Sequence, residues 1–308
     1  MRRRRTLEGV IRSVMRYTAP QTAWEAEVPV RGDVAALATL LAEGGAVVLT
    51  GAGISTDSGI PDYRGPTSAQ RRHAPMTYDA FVGDPVARHR YWARSHVGWP
   101  QIAGARPNDG HRAVASLQRA GLLHGVITQN VDGLHQKAGA RDVVELHGAL
   151  GRVVCLGCRV ALGRARVQED LASLNPDFDT RATEINPDGD AELPDAELDR
   201  FTMTGCPSCG DGPLKPDVVF FGESVPRPRV DHCFELVERA RSLVVLGSSL
   251  TVMSGLRFVR AAARRDLPVA VVTAGPSRAD DVAAVRLTEA LGEVLPATLA
   301  TLGLGERP

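Results

Sequence analysis

One stretch constrains this chain more than any other. Gly51 to Gly65, GAGISTDSGIPDYRG, follows directly on the apolar run Ala46-Val47-Val48-Leu49. An uninterrupted aliphatic run of this length reads as a strand buried on both faces, as in a parallel sheet. A glycine-rich turn leaving such a strand is where α/β folds bind a dinucleotide. Small residues let the backbone approach the phosphates, and a helix N-terminus supplies N–H donors and the positive end of its dipole. The spacing is not G-x-G-x-x-G, because only Gly51 and Gly53 fit. The segment also runs on through Ile60, Pro61, Asp62, Tyr63 and Arg64, so it needs an explanation of its own.

The rest of the chain alternates in the same rhythm. Val34 to Glu43 has helical spacing ahead of the first strand, and His111 to Ala120 forms a second amphipathic helix. Leu122 to Thr128, Pro216 to Gly222, Leu243 to Gly247 and Pro268 to Thr273 read as further strands. Helices are expected over Asp231 to Arg241, Gly255 to Arg265 and Asp280 to Leu291. This alternation implies an α/β fold: a Rossmann-like, doubly wound parallel sheet with helices on both faces. Arg71 to Pro100, where charge mixes with Tyr78, Phe81, Tyr91, Trp92 and Trp99, reads as a small helical insertion.

Cysteine usage identifies a separate module. Of five cysteines, four form the pairs Cys155-x-x-Cys158 and Cys206-x-x-Cys209. Each pair presents two sulfurs to one ion, and four thiolates close a tetrahedral zinc site with no open position, which makes it structural. The polar stretch between the pairs, with Asn186-Pro-Asp-Gly-Asp-Ala-Glu at its acidic centre, breaks the α/β rhythm and must loop out. Cys233 falls in an apolar helical context and reads as a buried thiol without chemistry.

Charge excludes some partners. The formal net charge is +0, which gives no electrostatic reason to expect nucleic acid or a membrane surface. No apolar stretch reaches the roughly 20 residues that span a bilayer. Lysine occurs only at Lys137 and Lys215, and the arginine bias reads as genome composition. The N-terminal run Arg2 to Arg5 reads as a solvated tail of a cytoplasmic bacterial protein, or as a transit peptide for the mitochondrial matrix.

A second polar cluster follows the Leu122 strand. TQNVDGLHQKAG, Thr128 to Gly139, puts Gln129, Asn130, Val131 and Asp132 at a strand's C-terminal end, where α/β sheets bind ligands. His147 comes soon after, in Glu145-Leu146-His147-Gly148. An imidazole titrates near neutrality and suits a general base.

With these motifs in order, the chain resembles the sirtuins, the NAD-dependent protein deacylases. GAGISTDSGIPDYRG, TQNVDGLH, ELHG, the paired CxxC, KPDVVFFGE (Lys215 to Glu223) and GSSL (Gly247 to Leu250) occur in family order from about Val34 to Pro296. RYWARSHVGWP, NPDGD and GSSLTVMSG resemble the class II branch, which includes mitochondrial sirtuin-4. The resemblance implies a tail over 1–30 and a sirtuin-type domain over 31–308. Within the domain, the large part takes about 31–70, 105–152 and 212–308, the helical insertion about 71–104 and the zinc module about 153–211.

The resemblance also implies roles. Gly51, Ala52, Gly53 and Ser55 wrap the NAD pyrophosphate, with Tyr63 and Arg64 near it. Ile60, Asp62, Asn130, Val131 and Asp132 line the nicotinamide pocket, and Gln129 meets the ribose. Gly247, Ser248 and Ser249 reach phosphate or ribose hydroxyls, and Thr273, Ala274, Gly275 and Leu291 take the adenosine end. The family usually carries Asn where this chain has Thr273, and often Cys at the Leu291 position. His147 acts as general base, with Asn130 and Asp132 beside it in catalysis. The nicotinamide–ribose bond breaks, the acyl oxygen of an acyl-lysine protein or peptide attacks the anomeric carbon, and the products are nicotinamide, deacylated lysine and O-acyl-ADP-ribose. Val219, Phe220, Phe221 and Gly222 pair with the substrate peptide as an added strand. Tyr91-x-x-Arg94 has the one-face helical spacing of the Tyr-x-x-Arg pair with which class III sirtuins hold acidic acyl groups. It leads to the expectation that Arg94 meets an acyl carboxylate and favours glutaryl-like groups over acetyl. Mono-ADP-ribosylation of proteins through the same site is the alternative activity. A redox dehydrogenase and a non-catalytic NAD- or peptide-binding module are the rival classes.

Overall fold

The computed structural model describes residues 28–63, 65, 75–178 and 185–305. Arg64 and the N-terminal arginine run lie outside the described residues. Six parallel strands form the main sheet in the order β3-β2-β1-β7-β8-β9. These are β1 (Ala46–Thr50), β2 (Leu123–Thr128), β3 (Val143–Glu145), β7 (Ser242–Leu246), β8 (Val269–Val272) and β9 (Val285–Leu287). β1 lies at the centre, in register with β2 on one side and β7 on the other. The chain order therefore reverses there, and the crevice at the strands' C-terminal ends opens beside the Gly51 loop.

Successive residues of β1 serve opposite cores. Val47 and Leu49 join one buried cluster with α8 (Arg227–Arg239) and α9 (Met253–Ala263). Ala46 and Val48 join the other with α1 (Val34–Ala42), α4 (Asp109–Arg119) and α10 (Leu291–Thr301). Two-sided burial is why the run is aliphatic without alternation. α1 begins at Asp33, whose carboxylate accepts from the Ala36 N–H. α4 begins at Asn108 with a reciprocal cap between Asn108 and His111.

The second body is a three-stranded antiparallel sheet, β5-β4-β6, built from β4 (Gly148–Cys155), β5 (Ala161–Gly163) and β6 (Leu214–Val218). It packs with α6 (Arg164–Leu174) and with two helices of the insertion, α2 (Tyr78–Gly83) and α3 (Pro85–Gly104), in a third core. The Trp92 indole N–H on α3 donates to the Leu214 carbonyl on β6 at 2.9 Å, joining the insertion to this sheet.

Two expectations change, and the helical insertion is as expected. The Pro216 to Gly222 strand is shorter, starts earlier and belongs to the small sheet, because its partner is β4. The helix expected over Asp280 to Leu291 is instead a short turn at Asp280–Val282, strand β9 and the start of α10. Its apolar signal was masked by Arg286, a charged residue that is fully buried in β9. The insertion is two capped helices divided at Asp84, whose side chain caps α3.

Candidate active site

Gly51, Ala52, Gly53, Ser55, Ile60, Asp62 and Tyr63 line one cavity together with Gln129, Asn130, Val131, Asp132 and His147. Gly247, Ser248, Ser249 and Thr273 close it on another side, and Val219, Phe220 and Phe221 on a third. It contains about 1330 Å³, with open solvent at its mouth included. Ala274, Gly275, Leu291, Gly222, Tyr91 and Arg94 do not line it.

The two loop glycines are required by packing. A Cβ on Gly51 would fall 2.7 Å from the Ser248 Cβ, and one on Gly53 would fall 2.9 Å from the Gly247 Cα. The Gly53 N–H donates to the Gly247 carbonyl at 2.9 Å. The loops after β1 and β7 thus touch backbone to backbone, and neither tolerates a side chain at the contact.

Beneath them is a closed polar network. The Ser55 hydroxyl donates to Asp132 Oδ2 at 2.7 Å and accepts from the Asn130 amide at 3.0 Å. Asn130 also donates to the Gly51 carbonyl at 3.1 Å. The turn after β2 is therefore tied to the turn after β1, although the two motifs lie far apart in sequence. Ser55 is fully buried and committed to Asp132 and Asn130. His111 and His135 stand below, rings 5.0 Å apart. Burial lowers their pKa values to about 4 and about 3, so both are neutral. Gln129 donates to the Ser248 hydroxyl at 2.8 Å and so joins this turn to the loop after β7.

His147 begins the route into β4. Its Nδ1 lies 2.9 Å from the Gln129 carbonyl, which can only accept. That bond assigns the proton to Nδ1 and leaves the Nε2 lone pair facing Ser254 Oγ at 2.8 Å. Burial lowers the His147 pKa to about 4, helped by Arg229 and Arg257 and opposed by the Gln129 bond. The imidazole is therefore a neutral base whose Nε2 accepts from the Ser254 hydroxyl. Ser254 belongs to the GSSLTVMSG motif but was given no role from sequence: it sits in the first turn of α9, and only the fold brings it to the histidine.

Several residues expected at the site are engaged within the chain itself. Leu291 is buried in the α10 core and does not face the cavity. Val219 to Gly222 lie beyond the end of β6. The Val219 N–H is taken by the His147 carbonyl, the Phe221 carbonyl by the Tyr78 N–H and the Phe220 N–H by Glu223. Tyr91 is buried in an aromatic cluster with Phe81, Trp92 and Phe220. Arg94 is engaged by acids of the zinc module: Nη2 is 2.7 Å from Glu192 and Nε is 3.4 Å from Asp190. Its expected acyl carboxylate is replaced by carboxylates of the chain itself. Pro187, Asp188, Ile102 and Leu150, none assigned to the site from sequence, also line the cavity.

The four cysteine sulfurs all lie within 4.8 Å of one another. Cys155–Cys209 and Cys158–Cys206 are each 3.7 Å apart, close to the ~3.8 Å edge of a tetrahedron with Zn–S bonds of about 2.3 Å. The Cys158 and Ser208 N–H groups donate to sulfurs of Cys155 and Cys206. The first of these is the main cause that lowers the Cys155 pKa to about 6. A Cβ on Gly212 would fall 2.3 Å from the Cys155 sulfur, so the cradle is shaped around the sulfurs. The residues fit one structural Zn2+.

Among the described residues, no helix is long and apolar enough to cross a membrane. The Sir2 family model matches residues 51–254. The chain is 55% identical over 290 residues to NAD-dependent protein deacetylase 1 of Streptomyces coelicolor, covering 94% of this chain and 97% of that protein. It is 46% identical over 253 residues to the Bos taurus mitochondrial NAD-dependent protein lipoamidase sirtuin-4, covering 81% and 80%. A solved complex of Sir2 with a p53 peptide and NAD+ aligns with TM-score 0.70 at 30% identity, covering 88% of this chain and 98% of that one. The strand–loop unit, the paired polar turns, the buried histidine and the cysteine tetrad are thus found in a chain that belongs to the Sir2 family of NAD-dependent protein deacetylases.

Proposed function

We propose that this enzyme removes acyl groups from protein lysines, consuming NAD and releasing nicotinamide and O-acyl-ADP-ribose, and that it accepts acyl groups larger than acetyl. The observation that carries the reading is His147: a buried, neutral imidazole with its Nδ1–H held by the Gln129 carbonyl, in the same cavity as Asn130 and Asp132. A neutral imidazole in the cavity wall, whose Nε2 would exchange the Ser254 hydroxyl for a ribose hydroxyl, suits removal of a proton from that ribose hydroxyl. Bound NAD supplies the electrophilic anomeric carbon once nicotinamide leaves. Asn130 and Asp132, fixed through Ser55, orient polar groups at the nicotinamide end, and the touching loops at Gly53 and Gly247 form the floor under the phosphates. The apolar wall of Ile102, Leu150, Val131 and Phe220 offers room for a long acyl chain. Bovine sirtuin-4, a relative at 46% identity, is named a lipoamidase. The bacterial relatives support the cytoplasm as the location.

The test is nicotinamide release from NAD with a series of acyl-lysine peptides, with products weighed by mass spectrometry. Release that depends on an acyl-peptide, with O-acyl-ADP-ribose formed, supports the reading. ADP-ribosylated protein in its place assigns the transferase activity. His147→Ala is expected to lower turnover by roughly 10²–10⁴-fold while NAD still binds.

A further inference from the structure

Only two of the 36 basic residues in this chain are lysines, and one of them, Lys215 on β6, is buried. A lysine is almost never buried without a partner. Here the ammonium has three acceptors. Nζ donates to the Val218 carbonyl, to the Pro216 carbonyl at 3.3 Å and to Glu223 Oε2 at 3.0 Å. Three acceptors converging on one nitrogen match the three donors of an ammonium. The Phe220 ring lies over the charge, with its centroid 4.6 Å from Nζ.

These bonds close a loop of the chain. Glu223 Oε2 also accepts from the Phe220 N–H at 2.9 Å, so one carboxylate oxygen joins the ammonium to the backbone. The Glu223 N–H donates back to the Phe220 carbonyl at 3.0 Å. Lys215 therefore holds both ends of the segment Val218 to Glu223. It grips Val218, where the β4–β6 ladder ends, and through Glu223 it grips the far side.

The residues between these ends are cavity wall. Val219, Phe220 and Phe221 line the cavity, and Lys215 lies behind them without lining it. The Val219 N–H donates to the His147 carbonyl at 2.8 Å, so the same segment is fastened to the backbone of the base. The Phe220 ring is set against Phe81 and Tyr91, with centroids 5.0 Å and 5.2 Å away. The opposite side of the cavity is held by other bonds. Ser55 to Asp132, Asn130 to Ser55 and Gly53 to Gly247 all join loops of the main sheet.

We propose that Lys215 is a positioning residue for the acylated substrate: with Glu223 it holds Val219 to Phe221 in the shape that receives the acyl-lysine peptide. The proposal rests on the deacylase reading and deepens it. Because the loops of the main sheet are tied separately, Lys215 governs affinity for the peptide and not for NAD.

The test measures two affinities on each variant, for fluorescent acetyl- and lipoyl-lysine peptides by polarisation and for NAD by calorimetry. Melting temperature and zinc content report folding. Lys215→Met is expected to weaken peptide binding by about tenfold, the scale of one charged hydrogen bond, with NAD affinity unchanged. In nicotinamide release the loss should appear in KM for the peptide more than in kcat. Lys215→Arg keeps a cation beside Glu223 and should recover part of the affinity, which a role in filling space would not predict. Lys215→Met leaves Glu223 without its cation, so the double variant Lys215→Met with Glu223→Gln stands in should the single one fail to fold, and should show the same split. Peptide and NAD affinities that fall together, or peptide affinity that survives in folded Lys215→Met or in the double variant, overturn the proposal. The split in affinities without nicotinamide release from any acyl-peptide leaves it standing and overturns the deacylase reading instead.

Discussion

The hydroxyl of Ser254 lies 2.8 Å from Nε2 of His147, the one nitrogen of that ring left to accept a proton. Ser254 is buried in the first turn of α9, so a helix far along the chain holds the base by its reactive atom.

Ser254→Ala should therefore loosen the imidazole without altering the Gln129 bond that selects its tautomer. Loss of one neutral hydrogen bond of about 1 kcal/mol predicts a fall in kcat of about fivefold. KM for NAD should hardly change. Steady-state kinetics with NAD varied at saturating acyl-peptide checks this, and a rise in KM with kcat intact would refute it.

Acid should destabilise the fold over a defined window. His111 and His147 have folded pKa values of about 4 and His135 of about 3, against 6.5 when unfolded. Between pH 6.5 and 4 the unfolded chain binds protons that the folded chain refuses. Stability is thus fully present above 6.5 and falls as pH drops through the folded values, by a few kcal/mol per histidine. Urea midpoints at pH 7.5 and 5.5 measure the slope, and His111→Gln should flatten it.

The zinc cradle should fail on addition of a single methyl group. Gly212→Ala places a Cβ 2.3 Å and 2.7 Å from the sulfurs of Cys155 and Cys209. Zinc content is expected to fall from one per chain, and the small sheet should lose protection from proteolysis. Gly151→Ala, which meets nothing within 4 Å on the same sheet, is the control and should retain its zinc.

Arg286 is fully buried, with Nε 2.7 Å from Asp280 and donors to the carbonyls of Thr273 and Gly275. It fixes the loop that the resemblance assigns to adenosine. Arg286→Met breaks a buried pair, which costs about 3–5 kcal/mol. KM for NAD should rise by more than kcat falls. The double variant Arg286→Met with Asp280→Asn should recover part of the melting temperature, because the orphaned charge is gone.

Much of the site was legible in sequence because it is built from local signals. The aliphatic run with Gly51 and Gly53 specified a two-sided parallel strand and its turn, and the paired CxxC specified four thiolates around one ion. Asn130, Asp132 and His147 were visible as polar motifs at strand ends. Less legible were elements whose local signal conflicts with their surroundings. β9 carries a buried arginine, so its three residues did not read as a strand. The apolar run Val218 to Phe221 has the look of a main-sheet strand, yet β6 ends at Val218 and pairs with β4 in the small sheet.

What only the tertiary structure decided is which side chain meets which. Hydrophobic period and turn chemistry act over a few residues, so the chain alone determined the elements, their order and the metal-binding sulfurs. Partner choice depends on contacts between segments far apart. Helical spacing put Tyr91 and Arg94 on one face, but the fold buried Tyr91 in an aromatic cluster and set Arg94 against Asp190 and Glu192. The glycine loop shows both levels. Its sequence identified a turn after a buried strand, whereas its glycines are small because the loop after β7 arrives within 3 Å of where their side chains would be.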